Sequence, residues 1–303
     1  MAETSAEWVK QPESGRQWQL RMMRGLALTL PPWALDPLIW AIALVFAANR
    51  ARPATRASGR YLQRLFGRPA RLSERHRHAR VFAHAMLDRV RLLARGTADF
   101  KIAASGNAPV EKLYAAKQGA VLLGSHYGSF EALRAFDRTM PDMVVRYVMS
   151  AEHAAKSTAL LGALNPAVTA RVISVADGPQ GMLDVYEALE RGEFVAFLGD
   201  RVPDRAARGQ VAVDFLGGDI QVPTSPYLAA MAAGVPLIFC TAPRTGPRRY
   251  ALEFAVLHGG EPVPREERGE TVGRLAQAYA DLLSERCRRD PYNWFNFFDI
   301  WRV

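Results

Sequence analysis

From about residue 119 onward, short apolar runs alternate with segments of helical period, the arrangement expected of an α/β layer architecture. Gly119 to Gly124 (GAVLLG) predicts a buried strand. Phe130, Leu133 and Phe136 recur one turn apart, so a helix is expected from Ser129 to about Arg138, with Ser129 as its N-cap. A strand is expected over Met143 to Met149. Met182, Val185, Tyr186 and Leu189 follow the i, i+3, i+4, i+7 rule with Gly192 placed to end that helix, and Phe194 to Leu198 is the next strand. Val211 to Leu216 reads as extended, Ser225 and Pro226 open a helix ending near Gly234, and Val235 to Thr241 returns as a strand. Arg249 to Leu257 alternates as a half-exposed strand does, an edge position being one option, and Glu270 to Arg289 has helical spacing. Together these predict a mixed sheet flanked by helices.

The N-terminal third has another pattern. Leu26 to Ala48 is an apolar stretch of 23 residues whose only formal charge is Asp36. That length can span a bilayer, yet Pro31, Pro32 and Pro37 would kink a spanning helix, and Trp33 and Trp40 favour the headgroup boundary. A monotopic or re-entrant anchor is preferred, with a buried hydrophobic hairpin as the alternative. Residues 1–25 are long and polar, which argues against a cleavable signal peptide. No low-complexity linker or internal repeat divides the chain, so the expected organisation is a membrane-associating helical region over 1–100 and one catalytic domain over 101–303.

Charge changes the picture further. The net charge of +9 calls for an acidic partner: nucleic acid, anionic lipid or an acidic carrier protein. Thirteen arginines lie between Arg50 and Arg95 against Glu74 and Asp88 only, and Arg52, Arg56, Arg60, Arg64 and Arg68 recur every four residues, a basic stripe if helical. Pro53, Gly59 and Gly67 weaken that helix, and a solvated face is the plainer reading of the stripe. Its position just after the apolar segment matches the juxtamembrane pattern that binds anionic lipid on the cytoplasmic side, so nucleic acid is not expected. The two cysteines, Cys240 and Cys287, lie far apart without metal-ligand spacing.

The candidate chemistry is Ser125-His126-Tyr127-Gly128-Ser129-Phe130-Glu131. About 0.6 histidine-acid pairs of this spacing are expected by chance among six histidines and 30 acids in 303 residues, so position must supply the argument. His126 falls just past a buried strand and Glu131 in the first turn of the next helix, where α/β sheets gather catalytic groups. Glu131 leans back toward His126 and is expected to accept a hydrogen bond from one ring nitrogen, leaving the other as general base. Gly128 is expected to admit a substrate chain, and nearby amides to hold an oxyanion. A capped helix with a hydrogen-bonded histidine is the alternative. A serine hydrolase through Ser125 or Ser129 fits less well, because Gly124-Ser125-His126-Tyr127-Gly128 is not G-x-S-x-G. No other histidine forms a metal-ligand cluster with His126.

These residues resemble the lysophospholipid acyltransferase superfamily, in particular its bacterial lipid A (lauroyl/myristoyl) branch, whose signature is His-x4-Asp/Glu after a strand. The resemblance continues through Phe197-Leu198-Gly199-Asp200-Arg201, Val213-Asp214-Phe215-Leu216-Gly217, Pro223-Thr224-Ser225-Pro226 and Ala233-Gly234-Val235-Pro236. It implies a glycerol-phosphate acyltransferase-like α/β fold, no cofactor or metal, and acyl transfer from acyl-ACP or acyl-CoA to a lipid or glycolipid hydroxyl at the cytoplasmic face of a bacterial inner membrane. It makes Asp200 and Arg201 site candidates, Arg201 for a phosphate or the oxyanion, or else as a surface ion pair. Arg146 is a weaker contact for an anionic substrate, or else a strand-edge charge. Two departures stand out: Asp200-Arg201 replaces the branch's usual Asp with His or Gln neighbours, and the tail Asn293-Trp294-Phe295-Asn296-Phe297-Phe298-Asp299-Ile300-Trp301 resembles that of predicted acyltransferases of aryl-polyene and related pigment or glycolipid pathways. A lipid esterase and a non-catalytic membrane-binding protein are the competing classes.

Overall fold

The computed structural model describes residues 25, 28–132, 140–149, 171–174, 179–202 and 209–301. Among the described residues the first helices given in full are α1 (Pro32–Ala48), α2 (Pro53–Phe66) and α3 (Leu72–Arg95). There follow β1 (Lys101–Ser105), α4 (Ala108–Ala115), β2 (Ala120–Gly124), β3 (Val145–Met149), β4 (Val172–Ser174), α5 (Pro179–Glu190) and β5 (Phe194–Leu198). The last part holds β6 (Gln210–Asp214), β7 (Asp219–Pro223), α6 (Ser225–Ala233), β8 (Leu237–Thr241), β9 (Arg244–Gly246), β10 (Arg249–His258) and α7 (Arg268–Arg289).

The central sheet runs β1-β10-β8-β2-β5-β3-β4, with β9 paired to β10 off this path. It is parallel except where β10 meets β8 and β9, while β6 and β7 form a separate antiparallel pair. The apolar runs of β2 and β8 are buried throughout because both faces of the sheet are covered. Val121 and Leu123 face the α5, α6 and α7 side, where Tyr279 and Trp294 also sit. Ala120 and Leu122 face the other side, with Leu92 of α3 and Leu113 of α4. The sheet flanked by helices is thus the expected one. Its alternating strand β10, however, is not at an edge: it pairs with β8 and β1. The alternation has another origin, since Tyr250, Leu252 and Phe254 bury while Glu253 turns to Arg286 and Arg289 of α7.

Among the described residues no helix is long and apolar enough to cross a membrane by itself; the α1 and α2 segments pass that test only together, and they meet at 84°. Leu35, Ile39, Ala43 and Ala47 of α1, four residues apart, are buried, and α1 packs on α3. The rest of α1 exposes Trp33, Leu38, Ile42 and Val45. Of the three residues that weakened α2 on paper, two punctuate it, Pro53 in its first turn and Gly67 ending it at φ 65°, where only glycine is unstrained, while Gly59 is carried inside the helix. The arginine stripe stays at the surface, with Arg52, Arg56, Arg60 and Arg64 exposed, but four of its five members have partners within the molecule. Arg56 donates to Ala51 O (2.6 Å), Arg60 pairs with Asp299, Arg64 donates to Gly217 O (3.0 Å) over the Trp301 ring, and Arg68 pairs with Glu74. The solvated basic face is therefore present, its guanidinium groups held in place by these bonds.

Candidate active site

β2 and β5 are parallel neighbours with Gly124 in register with Leu198. His126 and Asp200 each follow their strand by two residues, so the sheet itself delivers them to the same edge. Gly199 tightens the crossing: its amide donates to Gly124 O (2.9 Å), and a Cβ there would meet Leu123 Cδ1 at 2.7 Å and the Tyr279 ring at 3.0 Å.

His126 Nδ1 lies 2.7 Å from Asp200 Oδ1, and the His126 amide donates to Oδ2 at 2.9 Å. A third donor, the indole Nε1–H of Trp294, reaches Oδ2 at 2.9 Å. Asp200 is 1% exposed, whereas the His126 side chain is 26% exposed. Burial alone would raise the carboxyl pKa, but the adjacent imidazole, its hydrogen bonds and Arg201 outweigh it and bring Asp200 down to about 2. A carboxylate on Nδ1 fixes the imidazole tautomer and makes Nε2 the basic nitrogen.

The C-terminal tail clamps the histidine loop. Gly128 N donates to Asn293 O (2.8 Å) and Phe295 N to His126 O (2.7 Å), around an antiparallel bridge between Tyr127 and Trp294. The Asn293 side chain pairs with both backbone groups of Arg244. The Trp294 carbonyl meets His78 Nε2 at 2.8 Å, while Ser58 Oγ meets His78 Nδ1 at 2.8 Å.

The family model for bacterial lipid A biosynthesis acyltransferases matches residues 9–303. The chain belongs to that family. Membership makes it an acyltransferase of lipid biosynthesis, with an acyl donor and a lipid acceptor as reactants. No curated protein matches the chain.

In this family member the carboxylate on His126 Nδ1 is Asp200, not the expected Glu131. The helix expected over 129–138 is described only at its start, where Phe130–Ala132 form a single tight turn; residues 133–139 lie outside the described residues. Glu131 accepts from Ser129 Oγ at 3.0 Å and pairs with Arg89 of α3 at 2.6 Å. Asp200, expected to contact substrate, is walled off behind the histidine instead.

Gly128 does not make room for substrate. At φ +84° its missing Cβ would fall 1.8 Å from Ala242 O, so the glycine is needed for backbone packing. Four amides of the loop are spent too: His126 N goes to Asp200, Tyr127 N to Ser125 Oγ, Gly128 N to Asn293 O and Ser129 N to Ala242 O. They hold the loop rather than an oxyanion.

Arg201 joins the site from beside Asp200, stacked 4.5 Å over the Phe298 ring. Arg146 does not join it. It pairs in register with Val195, five residues before Asp200, which separates the two by roughly 16 Å at about 3.3 Å per residue. There it forms a two-pronged ion pair with Glu193. Trp294 was missed by sequence reasoning: it stands 94 positions from Asp200. Its one signal was the density of aromatic residues in a tail rich in asparagine.

Proposed function

We propose that this family member transfers a fatty acyl chain from acyl-ACP or acyl-CoA to a hydroxyl of a lipid, glycolipid or pigment-lipid acceptor, with His126 as general base and Asp200 as its orienting carboxylate. The observation that carries the reading is the buried, ionised Asp200 bonded to His126 Nδ1 beside the only exposed part of that pair. Nε2 takes the proton of the acceptor hydroxyl as its oxygen bonds to the thioester carbonyl carbon. Collapse of the tetrahedral intermediate breaks the carbon–sulfur bond, and the departing thiolate takes the proton back from the imidazolium. Arg201 is the cation assigned to the oxyanion or to an anionic group of either substrate.

The exposed apolar face of α1 supports a monotopic seat on the cytoplasmic face of an inner membrane, with the guanidinium edges of α2 nearby for anionic headgroups. Nothing favours the esterase: the Ser129 hydroxyl donates to Glu131, and the Ser125 hydroxyl accepts from Tyr127 N.

The test incubates purified protein and anionic vesicles with labelled acyl-ACP or acyl-CoA and extracted lipid acceptors, the products being identified by mass spectrometry. A new ester, lost in folded His126→Ala, is expected, as is co-flotation of protein with vesicles. Full transfer by His126→Ala would sink the assignment, and release of free fatty acid alone would replace it with hydrolysis.

A further inference from the structure

We infer that Trp294 is a positioning residue for acyl transfer, acting through its indole Nε1–H on the Asp200 carboxylate and, through that carboxylate, on His126. The inference rests on the assignment of His126 as general base, and extends the machinery to a segment 168 residues further along the chain.

The geometry is specific. Asp200 has two oxygens and three donors; Oδ1 serves the imidazole, and Oδ2 is shared between the His126 amide and the indole. Without the indole, Oδ2 would keep only one bond in a pocket closed to water. Trp294 is fully buried, so its N–H has no access to solvent either. The ring is held among Tyr61 at 4.8 Å, Phe215 at 5.1 Å and Trp301 at 5.9 Å, and its backbone is tied at Asn293, Phe295 and His78. A tail that merely docked would need its indole buried; it would not need it aimed at the carboxylate that orients the base.

The chemical consequence follows from charge. A donor on Oδ2 draws negative charge away from Oδ1 and so limits how strongly Asp200 stabilises the imidazolium. Removing it strengthens that stabilisation and frees the carboxylate to rotate, so His126 holds its proton to higher pH and is less well aimed. The charged or titratable groups facing Asp200 are His126, Arg201, and Tyr279 and Cys287 of α7. Burial pushes the tyrosine and the thiol far up, and Asp200 itself titrates at about 2, so an acid limb near neutrality reports the imidazole.

The experiment compares Trp294→Phe with wild type, with His126→Ala and with Trp301→Phe, which removes a different indole bond of the same tail, to Phe215 O. In Trp294→Phe, kcat is expected to fall about 10- to 100-fold with KM nearly unchanged, and the acid limb of kcat to move up by about half a pH unit or more. Trp301→Phe is expected to keep the wild-type limb. A Trp294→Phe profile that superimposes on wild type overturns the inference while leaving the base assignment intact; an active His126→Ala overturns the base assignment instead. Where Trp294→Phe does not fold, ¹⁵N-tryptophan-labelled wild-type protein decides: one indole N–H resonance following the pH midpoint of activity supports the inference, and none doing so overturns it.

Discussion

One carboxylate is close to His126 in the chain and another is bonded to it in space, and their surroundings differ in kind. Glu131 is five residues away in the chain, on a tight turn at the rim, with its side chain 18% exposed and an arginine of α3 on one oxygen. Asp200 is 74 residues away, fully buried, and holds the imidazole at 2.7 Å. Nearness in sequence loses to sheet register, because two parallel strands fix their exits rigidly whereas a rim side chain goes to whichever cation reaches it. Dielectric then widens the gap: an interaction out of water is screened far less than one at the surface.

The largest expected effect tests that ranking directly. Asp200→Asn should lower kcat by about 10²–10⁴, since an amide no longer fixes the tautomer or stabilises the imidazolium. Steady-state kinetics on folded protein would show it, and a larger loss in Glu131→Gln would reverse the comparison.

A second, intermediate effect sharpens it on the buried side. His78, which holds the Trp294 carbonyl, is pushed down to about 4 by burial, against the raising effect of that same hydrogen bond. Its folded pKa lies below the ordinary imidazole value of 6.5, so the unfolded chain binds the proton first. The associated stability is complete above pH 6.5 and is lost as pH falls through about 4, a loss of roughly 3 kcal/mol. Urea midpoints across that range should decline, and His78→Gln should flatten the decline.

The smallest effect belongs to the rim. Glu131→Gln should cost about tenfold or less in kcat, and its effect should shrink with added salt, as expected when a partly exposed ion pair with Arg89 is all that is lost. A salt-independent loss would mean that Glu131 acts at the reacting atoms.

What was legible in the sequence follows the same division. β2, β5 and β8 announce themselves as unbroken apolar runs because both their faces are buried, and His126 was found because it directly follows such a run. Asp200 was singled out by motif but given the wrong contact, since nothing local reveals that Gly124 and Leu198 share a register. Gly128 was read for the space it leaves, when the space is already filled by the backbone of Ala242. The arginine stripe was visible as a period, but its partners Gly217, Asp299 and Trp301 come from distant segments and could not be. Arg146 stands apart from the His126–Asp200 pair for a simpler reason: its strand was legible, but it occupies the opposite end of that strand.

The clamp at residues 293–295 also sets an order of events during synthesis. A ribosome adding about 5–20 residues per second makes His126 on the order of ten seconds or more before it makes Trp294. Throughout that interval the histidine loop lacks the bonds from Asn293 and Phe295. Competence is thus the last property the chain acquires, since the clamp that holds its base arrives only with the final ten or so residues.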